Sequence, residues 1–167
     1  MKADFFLNSC RKTIREVRFG LCDDDNKKPA YIDMAIPEKW IATVMNNDGK
    51  QIQFTAIDNC IDIFCENGEM DNRCDGMLQY DRNLLLIELK IKRADWKAEG
   101  LGQIESTLRK LIEDESDFYF SFNKRKAVIA NGKRTKPSFQ EYDTEQREYF
   151  RKEYKIHLQF NAVIVIR

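Results

Sequence analysis

Apolar residues recur at helical spacing in two parts of the chain, and each part predicts a helix. An opening helix is expected over residues 4–18, with Asp4 at its start, on a pattern formed by Phe6, Cys10, Ile14 and Val17. A longer helix is expected over residues 95–115, where Asp95 is the candidate cap. Its apolar stripe consists of Leu101, Ile104, Leu108 and Leu111.

Shorter apolar or alternating runs between and after these helices predict strands. Strands at 40–45 and 51–57 are expected to form a hairpin, because Asp48-Gly49 is a strong turn signal between them. Further strands are expected at 61–64, 74–80, 84–91, 127–130 and 155–166, with a polar helix over 139–154. This order predicts an α/β protein with a mixed sheet, in a single domain spanning residues 1–167.

The charge balance and the short apolar runs limit the kinds of partner that we expect this chain to bind. The 28 basic residues balance 28 acidic ones, so affinity for a polyanion requires a local basic patch. No apolar run approaches the roughly 18 residues of a membrane span, and we expect a cytoplasmic protein that does not bind membranes. A homodimer is compatible with the sequence.

Histidine and cysteine exclude several kinds of site. The one histidine, His157, falls in an alternating segment and is expected at an exposed strand position, so histidine-based catalysis is disfavoured. The five cysteines include no CxxC pair, and we expect free thiols rather than a zinc site.

Two charged residues interrupt the apolar run at 84–91. Glu88 and Lys90 alternate with apolar neighbours, so both side chains point to one face of a strand whose composition indicates burial on both faces. If Asp81-Arg82 forms a two-residue turn, Asp75 lies directly opposite Glu88; a three-residue turn with a bulge would make the pairing diagonal. Either arrangement brings two carboxylates within reach of one cation.

Hard oxygen ligands of this kind suit Mg²⁺ or Mn²⁺, which would neutralise charge on a phosphodiester while Lys90 stabilises the reacting phosphate. The alternative is a structural network, in which Glu88 pairs with Lys90 and Asp75 is a turn residue. The acid at hairpin distance, the buried strand and the helix that follows favour the metal site.

These residues resemble the PD-(D/E)XK nuclease superfamily, including its small bacterial and phage members. Asp75, twelve intervening residues and then Glu88-Leu89-Lys90 match the motif, with Cys74 in place of the proline. The resemblance covers residues 55–137 and implies a restriction-endonuclease-like core, αβββαβ, with an extra C-terminal strand. It also implies that Asp75, Glu88 and the carbonyl of Leu89 hold the metal and that Lys90 is catalytic.

The resemblance implies that two further residues belong to the site. Gln103 matches a glutamine on the helix after the motif strand, although its place beside the apolar stripe is equally typical of a partly exposed helix residue. Glu16 is the candidate for a glutamate that many members carry on the first helix.

A basic run follows the long helix and is a candidate nucleic-acid contact, although such runs are often solvated faces. It consists of Lys124, Arg125, Lys126, Lys133, Arg134 and Lys136, which with Lys92, Arg93 and Lys97 would form a positive rim.

The sequence therefore predicts a metal-dependent nuclease acting on DNA more than on RNA. The alternatives are a nuclease-fold protein that binds nucleic acid or a protein without cleaving, and an interaction domain.

Overall fold

Ten strands and three α-helices form the part of the chain that the computed structural model describes, residues 2–133 and 141–167. The strands are β1 (Arg11–Ile14), β2 (Arg18–Cys22), β3 (Tyr31–Asp33), β4 (Ala42–Met45), β5 (Ile52–Ala56), β6 (Gly76–Tyr80), β7 (Asn83–Lys90), β8 (Lys124–Asn131), β9 (His157–Phe160) and β10 (Val163–Val165). The helices are α1 (Trp96–Asp114), α2 (Ser116–Phe120) and α3 (Glu141–Tyr154). The molecule is therefore an α/β protein, as predicted.

The strands form two sheets. The larger has six strands in the order β1-β5-β6-β7-β8-β9, and the smaller has four in the order β10-β4-β2-β3. Strands β5, β6 and β7 are antiparallel neighbours, whereas β7, β8 and β9 are parallel. Parallel neighbours need long crossovers, which α1 and α2 supply between β7 and β8, and α3 between β8 and β9.

Both faces of the larger sheet are covered. On β7, Leu84 and Leu86 face the core beneath the helices, and Leu85 and Ile87 face the core shared with the smaller sheet. This alternation confirms that β7 is buried on both faces, so a charged side chain on it must find partners. The prediction of one domain spanning residues 1–167 stays a prediction.

The predicted opening helix is wrong. Residues 8–10 form one 3₁₀ turn, after which Arg11–Ile14 pairs with β5 and Arg18–Cys22 joins the smaller sheet. The helical spacing was misleading because Cys10 and Ile14 belong to different cores and Val17 is 58% exposed. In this segment the pairing with other strands therefore outweighs the helical spacing of four apolar residues.

Three other strand predictions need correction. Strands β4 and β5 lie in different sheets, so the turn at 46–49 changes sheet instead of closing a hairpin. Residues 61–64 form no strand and contribute only an isolated bridge between Phe64 and Met70. The segment 155–166 is two strands in different sheets, because Asn161 bends the chain between β9 and β10.

The long helix begins and ends within one residue of the predicted bounds, and its predicted apolar stripe is the buried face. The three leucines and one isoleucine of its stripe are buried beneath the larger sheet. Asp95 precedes the helix in the left-handed region, at φ 59°, and its side chain makes no capping hydrogen bond. His157 is exposed on β9, as expected.

A disulfide joins Cys10 to Cys60, so the prediction of free thiols is wrong for these two cysteines and holds for Cys22, Cys65 and Cys74. Because disulfides are typical of oxidising compartments, thiol chemistry no longer favours the cytoplasm, and that location stays a prediction. Within the described ranges, no helix has the length and apolar character needed to cross a membrane.

Candidate active site

The hairpin between β6 and β7 brings the two predicted acids together. Tyr80 pairs with Asn83 and Gly76 with Ile87, so the same register places Asp75 opposite Glu88. The two-residue turn is allowed because Asp81 adopts a left-handed backbone, at φ 49°, which aspartate tolerates better than most residues. The direct pairing is therefore confirmed over the diagonal one.

Each acid also bonds to the main chain of the other strand. The N–H of Leu89 donates to Oδ2 of Asp75 at 2.7 Å, and the N–H of Asp75 donates to Oε2 of Glu88 at 3.2 Å. Asp75 is 4% exposed and Glu88 is 2% exposed. The backbone thus fixes two nearly buried carboxylates at one edge of the larger sheet, on the face that α1 covers.

Lys90 and Gln103 complete the group. The Lys90 ammonium lies 3.2 Å from Oε1 of Glu88 and donates to Oε1 of Gln103 at 2.5 Å. The Gln103 amide in turn donates to the carbonyl of Arg73 at 3.2 Å. Helix α1 therefore holds the ammonium beside the acids, and the geometry brings all four predicted catalytic residues together.

Close packing of α1 on the sheet makes this possible. A Cβ at Gly100 would lie 3.0 Å from Cγ2 of Ile129 and 3.4 Å from Cγ of Glu88. The absence of a side chain there lets α1 approach β7 and β8 closely enough for Gln103 to reach Lys90.

The group opens into a cleft of about 260 Å³. Its walls include Asp23, Asp25, Asp58, Asp75, Glu88, Leu89, Lys90, Lys92 and Gln103. Leu89, whose carbonyl is the predicted main-chain ligand, thus lines the same cleft as the acids.

Three of these aspartates were not predicted. Asp58 follows β5, its N–H donates to the carbonyl of Cys74, and its carboxylate lies 3.1 Å from the Arg73 guanidinium. The end of β5 and the beginning of β6 meet at one edge of the sheet, so an acid just after β5 could have been inferred. Asp23 and Asp25 come from the loop after β2, and no local signal in the sequence connects that loop to the hairpin.

Burial and mutual repulsion disfavour ionisation of both acids. Burial raises the pKa of Asp75 to about 7, with the Leu89 hydrogen bond opposing it and the negative charges of Asp23 and Asp58 adding to it. Burial, followed by the charge of Asp75, raises the pKa of Glu88 well above its usual value, and Lys90 opposes this. A cation between the carboxylates would relieve the repulsion.

Asp75 and Glu88 are the two acidic donors that the hairpin brings together. Within residues 2–133 and 141–167, no three His, Cys, Asp or Glu side chains form a metal-binding group. Asp75 and Glu88 thus offer two carboxylates without a third ligand of this kind. This is a set that Mg²⁺ commonly completes with water, whereas a structural zinc ion needs more protein ligands.

Glu16 does not belong to this group. It is exposed between β1 and β2, and its carbonyl accepts a hydrogen bond from Asn46. Because Ile14 pairs with Ile52 at the hairpin-turn end of the sheet, Glu16 lies at the end opposite Asp75.

The structure also separates most of the basic run from the cleft. Lys124 pairs with Asn83 and Ile129 with Glu88, so Lys124 lies about 16 Å along the strand from the acids. Lys126 lies on the same half of β8, and Arg125 donates to the carbonyls of Lys155 and Phe122. Lys133 follows Asn131 at the cleft end; Arg134 and Lys136 lie outside the described residues.

The other three residues of the predicted rim, Lys92, Arg93 and Lys97, lie after β7 and in the first turn of α1. Lys92 pairs with Glu99 at 2.8 Å, and Lys97 pairs with the buried Asp143 at 2.9 Å. Arg93 is exposed in the segment between β7 and α1. Of the described residues of the predicted rim, Lys92 lines the cleft, whereas Lys124 lies at the far end of β8.

In comparisons with known proteins, the chain matches no family model, no curated protein and no solved structure. Membership of the PD-(D/E)XK superfamily accordingly stays a prediction.

Proposed function

We propose that this protein is a divalent-metal-dependent nuclease that hydrolyses phosphodiester bonds, with DNA favoured over RNA. The observation that carries the proposal is the pair of nearly buried carboxylates, Asp75 and Glu88, fixed opposite each other with Lys90 beside them. Two acids held this close are costly without a counter-charge, and perturbed acids in a cleft are typical of functional sites.

The topology around the pair supports a restriction-endonuclease-like core. The antiparallel meander β5-β6-β7 is followed by α1 and then by β8 parallel to β7. This order corresponds to the βββαβ part of the expected core. Within the described residues the first helix of that core has no counterpart, since β1 and β2 occupy the corresponding part of the chain.

Each residue of the cleft has a distinct role in this proposal. Asp75, Glu88 and the carbonyl of Leu89 hold Mg²⁺ or Mn²⁺, which when bound lowers the pKa of a coordinated water and neutralises charge on the phosphate. Lys90 presents its ammonium to the oxygens on which negative charge develops during hydrolysis. Gln103 holds that ammonium in position through its hydrogen bonds to Lys90 and Arg73.

A structural network is the competing function of the same residues. The ion pair between Glu88 and Lys90 favours it, because a lysine that serves only to neutralise a buried acid would look the same. In that case removal of either acid changes stability, and divalent cations have no effect on any property of the protein.

A cleavage assay tests the proposal. The protein is incubated with plasmid, linear duplex DNA, single-stranded DNA and RNA, with Mg²⁺, Mn²⁺ or EDTA. We expect metal-dependent cleavage that falls at least about 100-fold in Lys90→Met and Asp75→Asn. Lys152→Met, which removes an exposed lysine on α3, is the matched control and retains full activity.

Two outcomes contradict the proposal. Cleavage at the wild-type rate in Lys90→Met would reject the role of the lysine. No cleavage of any substrate by the wild-type protein would favour binding of nucleic acid or of a protein partner without hydrolysis.

A further inference from the structure

A second polar groove lies at the hairpin-turn end of the larger sheet. It has a volume of about 410 Å³, and its walls include Lys50, Gln51, Gln53, Gln79, Asp81 and Phe122. We call it the glutamine groove. Gln79 shares a sheet face with Asp75 but lies four residues further along β6, about 13 Å away. The buried Met77 stands between them, so the groove is separate from the cleft.

The three glutamines present hydrogen-bond donors to this groove. Gln53 and Gln79 are directly paired on β5 and β6, and Gln51 shares their face. Arg11 donates to Oε1 of Gln53, and Arg15 donates to Oε1 of Gln51 at 2.6 Å. Because arginine only donates, it fixes the orientation of each amide and leaves the NH₂ group for another partner.

Buried donors without partners are concentrated on the same face. Among the described residues, four buried side-chain nitrogen or oxygen atoms have no hydrogen-bond partner. Three of them belong to Arg11, Thr55 and Gln79, and of these residues Gln79 is the one that lines the groove. An unpaired buried polar group costs free energy, so the amide nitrogen of Gln79 favours a ligand that brings a hydrogen-bond acceptor to this wall.

The charge around the groove favours an anionic ligand. Lys50 lines it, and Arg15, Arg82 and Lys124 are exposed at the same end of the sheet, where they outnumber the exposed acids Glu16 and Asp48. The one acid in its wall, Asp81, is 58% exposed and pairs with Lys50 at 2.9 Å. An exposed ion pair contributes little, so a phosphate can replace Asp81 as the partner of Lys50 at small cost.

From these observations we propose that the glutamine groove binds the phosphate backbone of a single nucleic-acid strand. Amide, ammonium and guanidinium donors are the groups that contact phosphate and sugar oxygens in protein–nucleic acid complexes. The half-buried ring of Phe122 offers an apolar surface at the groove wall for a base. This inference goes beyond the proposed nuclease and does not require it, because binding at the groove involves neither Asp75 nor a metal.

The test is fluorescence anisotropy with a labelled oligothymidylate of about twenty nucleotides, in EDTA at several salt concentrations. Gln79→Met keeps the side-chain volume and removes a donor that has no protein partner, so the variant should fold normally. We expect it to weaken binding about fivefold, the effect of losing one hydrogen bond. Lys50→Met should weaken binding and lower the salt slope by about one.

Matched controls are Gln159→Met on β9 and Lys39→Met beside the smaller sheet, both exposed positions away from the groove. They should bind as the wild type does. The proposal is overturned if the wild-type protein does not bind the oligonucleotide, or if Gln79→Met and Lys50→Met both bind it with wild-type affinity and salt slope. Since cleavage is not measured, failure of the nuclease proposal leaves this result unaffected.

Discussion

The main-chain N–H of Asp75 donates a hydrogen bond to the side-chain carboxylate of Glu88, the residue directly opposite it on the neighbouring strand. Leu89 returns the interaction by donating its N–H to the carboxylate of Asp75. The backbone of the hairpin therefore bonds to both acids, and Lys90 is a further, side-chain partner of Glu88. Positions fixed in this way would favour the proposed cation site, since little further ordering is needed.

The raised pKa values of this pair predict how stability depends on pH in the absence of metal. An acid whose pKa is higher in the folded state binds protons more tightly there, so stability is full at low pH and is lost as pH rises. For Asp75 the window runs from about pH 4 to about pH 7. Urea unfolding in EDTA should show a smaller free energy of unfolding at pH 8 than at pH 5.

Asp75→Asn should remove the part of this loss that belongs to Asp75 and unfold at higher urea than the wild type at pH 8, by up to about 4 kcal/mol. Asp117→Asn, at an exposed position on α2, is the control and keeps the wild-type pH dependence. The account would be contradicted if the free energy of unfolding of the wild type rose between pH 5 and pH 8 and Asp75→Asn had the same pH dependence. Such a result would mean that burial does not raise the pKa of Asp75.

Two glycines in α1 provide a test of the packing that brings the helix to the site. Gly100→Ala places a methyl group 3.0 Å from Ile129, whereas Gly102→Ala meets nothing within 4 Å. Alanine favours a helix over glycine by about 1 kcal/mol, so Gly102→Ala should be stabilising. Gly100→Ala should be less stable than Gly102→Ala by about 2 kcal/mol, because overpacking opposes the helical gain. Equal thermal stabilities in the two variants would show that α1 is not closely packed there.

Gln103 is predicted to act through Lys90. Gln103→Leu removes the amide partner of the ammonium and leaves it with Glu88 at 3.2 Å and Glu99 at 3.8 Å, so we expect cleavage to slow by about tenfold while Mn²⁺ affinity is unchanged. Gln146→Leu on α3 is a control for loss of a partly exposed helical amide. An unchanged rate, or a loss of Mn²⁺ affinity as large as the loss of rate, would contradict a positioning role.

The sequence predicted the centre of the site because the determinants are local. A two-residue turn at Asp81-Arg82 and the strict alternation of strand side chains are sufficient to place Asp75 opposite Glu88 and Lys90 on the same face. The apolar stripe of α1 likewise determines which face of that helix packs on the sheet. These predictions required only short-range geometry.

The predictions that were wrong or missing concern residues whose positions depend on which strands pair with each other. Nothing within residues 4–18 indicates that Arg11–Ile14 will add to the edge of the larger sheet, and its apolar spacing fitted a helix equally well. The same is true of Asp23, which reaches the cleft only because β2 belongs to a second sheet packed on the first. Long-range pairing also moved Lys124 away from the acids, since β8 runs parallel to β7 and begins at the opposite end.

Isothermal titration calorimetry with Mn²⁺ tests the central claim, a cation site formed by Asp75 and Glu88, independently of any substrate. The wild-type protein and Asp117→Asn should each bind one Mn²⁺ per chain in the cleft. Asp75→Asn and Glu88→Gln should show no detectable binding, because each removes a carboxylate ligand from a set of two. Absence of Mn²⁺ binding to the wild type, or unchanged binding in both variants, would contradict the account.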